Sequence, residues 1–163
     1  DFNAQDLANT AWAFGRLDFR AEGLFASIGT SVRALLDSGG RGARKASETS
    51  FSLQQLSMIS WGFAKVGIKD AGMMLAIVRR SEEQLGQLLP RDLTDIVWAL
   101  AQVGVKAPRF VEAAGATAAA RLSEFNSQEL MRFLGAFRRA GGGREAQARL
   151  MAVQRELRYE FPA

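Results

Sequence analysis

Phe51-Ser-Leu-Gln-Gln-Leu-Ser-Met-Ile-Ser-Trp61-Gly-Phe63 decides the fold, because the chain carries four versions of it. The others are Phe2-Asn-Ala-Gln-Asp-Leu-Ala-Asn-Thr-Ala-Trp12-Ala-Phe14, Leu88-Leu-Pro-Arg-Asp-Leu-Thr-Asp-Ile-Val-Trp98-Ala-Leu100 and Phe125-Asn-Ser-Gln-Glu-Leu-Met-Arg-Phe-Leu-Gly135-Ala-Phe137. Leu7, Leu56, Leu93 and Leu130 coincide. Trp12, Trp61 and Trp98 coincide as well, with Gly135 in the fourth place. The shared leucine recurs after 49, 37 and 37 residues, at 7, 56, 93 and 130. Self-similarity at such a period marks tandem helical hairpins, each hiding its apolar face against the next.

Local chemistry gives the boundaries. Asn3, Ser52 and Asn126 stand where a side-chain oxygen can accept from a free N–H at a helix start. Asp6, Gln55 and Glu129 follow three residues later, the return partners of a capping box. In the third copy Leu89 replaces the cap, and Pro90 takes the first helical position, where its missing N–H costs nothing. Phe2, Phe51, Leu88 and Phe125 precede the caps and pair with the shared leucines as hydrophobic staples. At the other end, Gly67, Gly104 and Gly141 occupy one repeat position, where a left-handed helix terminus favours glycine; Asp18 holds it in the first copy.

The expected fold is all-α, an α-solenoid of about four helix-turn-helix repeats over 2–37, 51–87, 88–124 and 125–161, forming one domain over 1–163. Helix A is expected at 4–17, 53–66, 90–103 and 127–140, and helix B at 21–36, 71–87, 108–123 and 144–160. The B helices carry their own apolar stripes, such as Leu24, Phe25, Ile28, Val32 and Leu35. Leu150, Val153 and Leu157 mark the irregular last copy, whose register shifts at Gly141-Gly-Gly143. The insertion at 38–50 has almost no apolar residue and reads as a flexible basic loop, either an RNA-touching arm or a plain solvated insertion.

Composition narrows the chemistry. The 163 residues are 48% hydrophobic, enough to bury a core, and carry a formal charge of +4, which suits an anionic partner without demanding one. With no cysteine and no histidine, thiolate metal sites, disulfides and His-based nucleophile systems are excluded. Gly39 to Gly42 lacks the Gly-Lys-Ser/Thr end of a phosphate loop, and Gly141-Gly-Gly143 sits between helices rather than in a βαβ unit. Glu82-Glu83 and the pair Asp92 and Asp95 read as solvated helix faces. The chain reads as a non-enzyme with no catalytic residue, metal or cofactor. No apolar run reaches the ~20 residues of a membrane span. The chain opens at Asp1 rather than Met, which suits a processed or partial chain with any targeting segment outside it.

On a helical wheel the A-helix core arc is Leu7, Thr10, Ala11, Phe14 and Leu17 in the first copy, with equivalents in the others. The opposite arc is polar. It holds Gln5, Asn9 and Arg16 in the first copy, then Gln54, Met58 and Lys65. The third copy gives Arg91, Asp95 and Gln102, and the fourth gives Gln128, Arg132 and Arg139. Stacked A helices would join these into one strip along the inner surface. The position Asn9, Met58, Asp95, Arg132 changes in every copy, as it would in a modular reader of a polymer and equally in an exposed position free to drift. The repeated Trp borders this arc, placed either to stack on a base or to wedge between neighbouring A helices.

Ala8-Asn-Thr-Ala-Trp-Ala-Phe14, Ser57-Met-Ile-Ser-Trp-Gly-Phe-Ala-Lys-Val-Gly67 and Ile96-Val-Trp-Ala-Leu-Ala-Gln-Val-Gly104 resemble the helix A signature of the octotricopeptide-repeat family and its heptatricopeptide-related kin. The fourth copy departs from it, with Gly135 for Trp and Arg138-Arg139 after the aromatic. The resemblance implies an organellar RNA-binding protein, in mitochondria or plastids, acting in RNA processing, stability, translation or ribosome assembly. It implies that the strip named above contacts single-stranded or ribosomal RNA. The alternative expectation is a protein-binding scaffold subunit of a large organellar complex, ribosomal, photosynthetic or respiratory.

Overall fold

The computed structural model describes residues 2–38 and 50–160. The described residues are all-helical. Eight α-helices follow in order: α1 Ala4–Arg16, α2 Glu22–Asp37, α3 Leu53–Lys65, α4 Ala71–Glu82, α5 Pro90–Val103, α6 Pro108–Ala120, α7 Ser127–Arg139 and α8 Arg144–Glu160. Short 3-10 turns follow α4 and α6 at Leu85–Gln87 and Leu122–Glu124. Among the described residues no helix is long and apolar enough to cross a membrane. The basic segment expected to form a loop lies outside the described residues apart from Ser38 and Ser50.

The helix starts form as the cap residues dictate. Asn3, Ser52 and Asn126 each accept from the N–H three residues on, and Asp6, Gln55 and Glu129 each accept from the cap N–H in return. At the far ends Gly67, Gly104 and Gly141 adopt φ of 69°, 68° and 92°, and Asp18 adopts 52°. The α4 and α6 helices stop earlier than expected, at Glu82 and Ala120. Leu85 and Leu122, which suggested continued helix, still pack against the core from the tighter 3-10 turns.

Adjacent helices pair as hairpins, α1 with α2, α3 with α4, α5 with α6 and α7 with α8. The first helices of the hairpins also pack in chain order, α1 on α3, α3 on α5 and α5 on α7. On the other side α2 packs on α4, α6 on α8, and α6 on the 3-10 turn at Leu85–Gln87. One apolar core runs through all four hairpins, from Leu7 and Phe25 to Phe137 and Leu150. Small residues set the spacing of α1 and α3. A Cβ on Gly62 would collide with the Ala11 carbonyl, and one on Gly15 would lie 2.9 Å from Gly62 Cα and 2.9 Å from the Trp61 ring.

Leu17 departs from its expected place in the core, being 75% exposed. It lies on the flank of α1 opposite Ala8, Ala11 and Gly15, which face α3. In α3 the corresponding flank faces α1, so the equivalent Val66 is buried. Phe2 is likewise 63% exposed, whereas Phe51, Leu88 and Phe125 in the same staple position are buried.

Candidate nucleic-acid interface

Successive first helices bring three of the four expected strip segments to one open cavity of about 240 Å³. From α1 come Asn9 and Trp12; from α3 come Gln54, Met58, Trp61 and Ser57; from α5 come Arg91, Asp92 and Asp95. Gln5 stands beside this group, donating to Asn9 Oδ1 at 2.7 Å and accepting from Gln55 of α3 at 2.9 Å. Arg16, Lys65, Gln102, Gln128 and Arg139 are exposed but do not line the cavity. Arg132 reaches its edge from α7 through a contact with Asp95.

Two strip positions are not the solvated residues expected. Asp95 is 6% exposed and Met58 is half-buried against the core. Asp92 is also 6% exposed, so the pair read as a solvated face is in fact covered. The reason lies in the stacking. The wheel treats each helix as having one neighbour, but α5 is flanked by α3 on one side and α7 on the other. Arg91 adds cover from its own helix, its Nε 3.7 Å from Asp95 Oδ2, while Arg132 Nη2 donates to Asp95 Oδ1 at 3.3 Å. Burial pushes the Asp95 carboxyl up to about 6 from 3.8; Arg132 and then Arg91 pull the other way, and Asp92 adds repulsion.

Asp92 and Ser57 form the functional detail that pattern reading missed. Asp92 occupies the repeat position of Asp6, Gln55 and Glu129, which close capping boxes in their own copies. In the third copy the cap is Leu89, which offers no side-chain oxygen. With no box to close, Asp92 turns to the neighbouring repeat and accepts from the Ser57 hydroxyl at 2.8 Å. An acid in the box position behind a non-capping residue was the available signal.

The tryptophans play two parts. Trp61 wedges between α1 and α3, its ring lying over Gly15, and also lines the cavity. Trp12 lines the same cavity and lies under the Arg16 guanidinium, 5.5 Å from the ring centroid. Trp98 is half-buried and packs against the core.

No protein-family model matches the chain, and no curated protein matches it significantly.

Proposed function

We propose that the chain is an α-solenoid of four hairpin repeats that binds single-stranded RNA along its first helices, in organellar gene expression. The observation that carries this reading is the cavity of the first three repeats. It combines two indole walls, Trp12 and Trp61, with the amides of Asn9 and Gln54 and the guanidinium of Arg91. Aromatic faces that accept a base, beside cations that accept a backbone, are the ingredients of single-strand recognition. Arg16, Lys65 and Arg139 extend the positive charge along the same faces, and Lys65 and Arg139 have no acidic partner among the described residues.

Changing Arg16, Lys65, Arg132 and Arg139 together to Ala tests it. Filter binding to a single-stranded RNA should weaken, and the slope of log affinity on log salt should flatten by up to about 2, at roughly 0.7 for each phosphate contact of Arg16, Lys65 and Arg139. The circular dichroism of the helices should persist, since all four side chains are exposed. Unchanged affinity and slope would remove the reading.

A second reading is a scaffold within a large organellar assembly. It is favoured by large apolar side chains left in solvent on the first hairpin, Leu17 at 75% and Phe19 at 60% exposure. Cross-linking with mass spectrometry separates the two. Adducts to RNA on the first helices support the first reading, and protein adducts confined to Leu17 and Phe19 support the second.

A further inference from the structure

We propose, resting on the RNA-binding reading, that the cavity between α1, α3 and α5 is a site for one guanine base, held by Asp92 and Arg91 between tryptophan walls. At about 240 Å³ it falls just below the ~300–1,000 Å³ of ordinary small-molecule sites, which suits a single base better than a whole cofactor.

Charge decides what kind of group enters. Asp92 and Asp95 supply two negative charges to the site, and Arg91 and Arg132 supply two positive ones. The site is therefore balanced before anything binds. A phosphate would face two carboxylates, and an ammonium or guanidinium would face the two arginines that flank Asp95. A flat, neutral, polar ligand meets neither penalty, and a nucleobase is such a ligand.

Hydrogen-bond polarity then selects among the bases. Carboxylates only accept and a guanidinium only donates. Guanine presents two adjacent donors, N1–H and the N2 amino group, to a carboxylate, and two acceptors, O6 and N7, to an arginine. Adenine and cytosine each offer one amino group. Uracil offers a single N–H flanked by two carbonyl oxygens, which would face the carboxylates unfavourably. Asp92 suits the role because it is free of the capping box that occupies its counterparts, and Ser57 fixes it from the side. Asp95 is the less available of the two, since both of its oxygens already face arginines.

The test uses four RNA heptamers, UUUGUUU, UUUCUUU, UUUAUUU and UUUUUUU, titrated against the whole chain by fluorescence anisotropy. UUUGUUU should bind roughly 5- to 150-fold more tightly than UUUUUUU, the range of one bidentate base contact. Asp92→Asn should abolish that preference. Arg91→Gln, at an exposed side chain, should reduce the preference independently. Equal affinity for all four heptamers, or a guanine preference that survives both substitutions, overturns the guanine site while RNA binding stands. No binding to any heptamer overturns the RNA-binding reading and the site with it. If the peptide Arg-Gly-Arg-Gly-Arg displaces UUUGUUU at a lower concentration than guanosine monophosphate does, the cavity takes a protein guanidinium and the proposal fails.

Discussion

Replacing Asp95 with Asn tests whether burial or ion pairing governs this carboxylate. Its pKa of about 6 lies above the ordinary 3.8 because loss of water outweighs the attraction of Arg132 and Arg91. Below pH 3.8 the group is protonated in both folded and unfolded chains and carries no penalty. Between 3.8 and about 6 the unfolded chain alone ionises, so stability is lost as pH rises, and the loss levels off above about 6. That interval corresponds to about 3 kcal/mol. The arginines do not cancel it, because their side chains are 64% and 60% exposed and the contacts are long. Such screened pairs return roughly 0–1 kcal/mol each. The assay is urea unfolding of both proteins from pH 4 to 8, followed by circular dichroism. Subtracting one curve from the other removes the acid sensitivity of every other carboxylate. The difference should be near zero at pH 4 and should favour Asp95→Asn by up to about 3 kcal/mol at pH 7. A variant less stable than the parent at pH 7, or a difference independent of pH, would refute the reasoning and give the advantage to the ion pairs.

The same titration should reach the proposed RNA surface: affinity for a single-stranded RNA rises as pH falls from 8 to 5, because a neutral Asp95 releases Arg91 and Arg132, and Asp95→Asn removes this pH dependence in anisotropy titrations. Gly62→Ala should lose about 1–3 kcal/mol in thermal unfolding, since its Cβ meets the Ala11 carbonyl. Gly23→Ala meets nothing within 4 Å and should gain about 0.5–1 kcal/mol in the same measurement. At the repeated left-handed position the signs should oppose: Gly104→Ala, at φ 68° with open space around it, loses about 1–2 kcal/mol, and Asp18→Gly, at φ 52°, gains up to about 1 kcal/mol.

The helices were legible where their limits depend on a few neighbouring residues. A capping box is complete within four positions, so Asn3 with Asp6 and Asn126 with Glu129 could be read directly and are found closed. The left-handed terminus is a property of one residue, and all four expected positions adopt it. The ends of α4 and α6 were not legible, because Leu85 and Leu122 keep their contact with the core whether the chain continues as α-helix or tightens into a 3-10 turn. A hydrophobic stripe records which side is buried and says little about the last turn.

In sequence the strip reads with Asp95 as a solvated charge, and its burial has a reason of geometry. A wheel assigns each side chain one angle, whereas exposure in stacked hairpins depends on what both flanks meet. Leu17 and Asp95 show the two errors this produces. The first is an apolar residue left bare because its flank meets no helix among the described residues. The second is a charged residue covered because its helix has a neighbour on each side. The consequence for function is that the basic residues of the strip are not equivalent. Arg91 and Arg132 share the charge of Asp95 and are suited to orient a base, whereas Lys65 and Arg139, with no acidic partner among the described residues, are suited to meet a backbone. In the proposed RNA-binding reading, phosphate contact and base selection would fall to different cations of one strip, a division that a count of positive charges would not reveal.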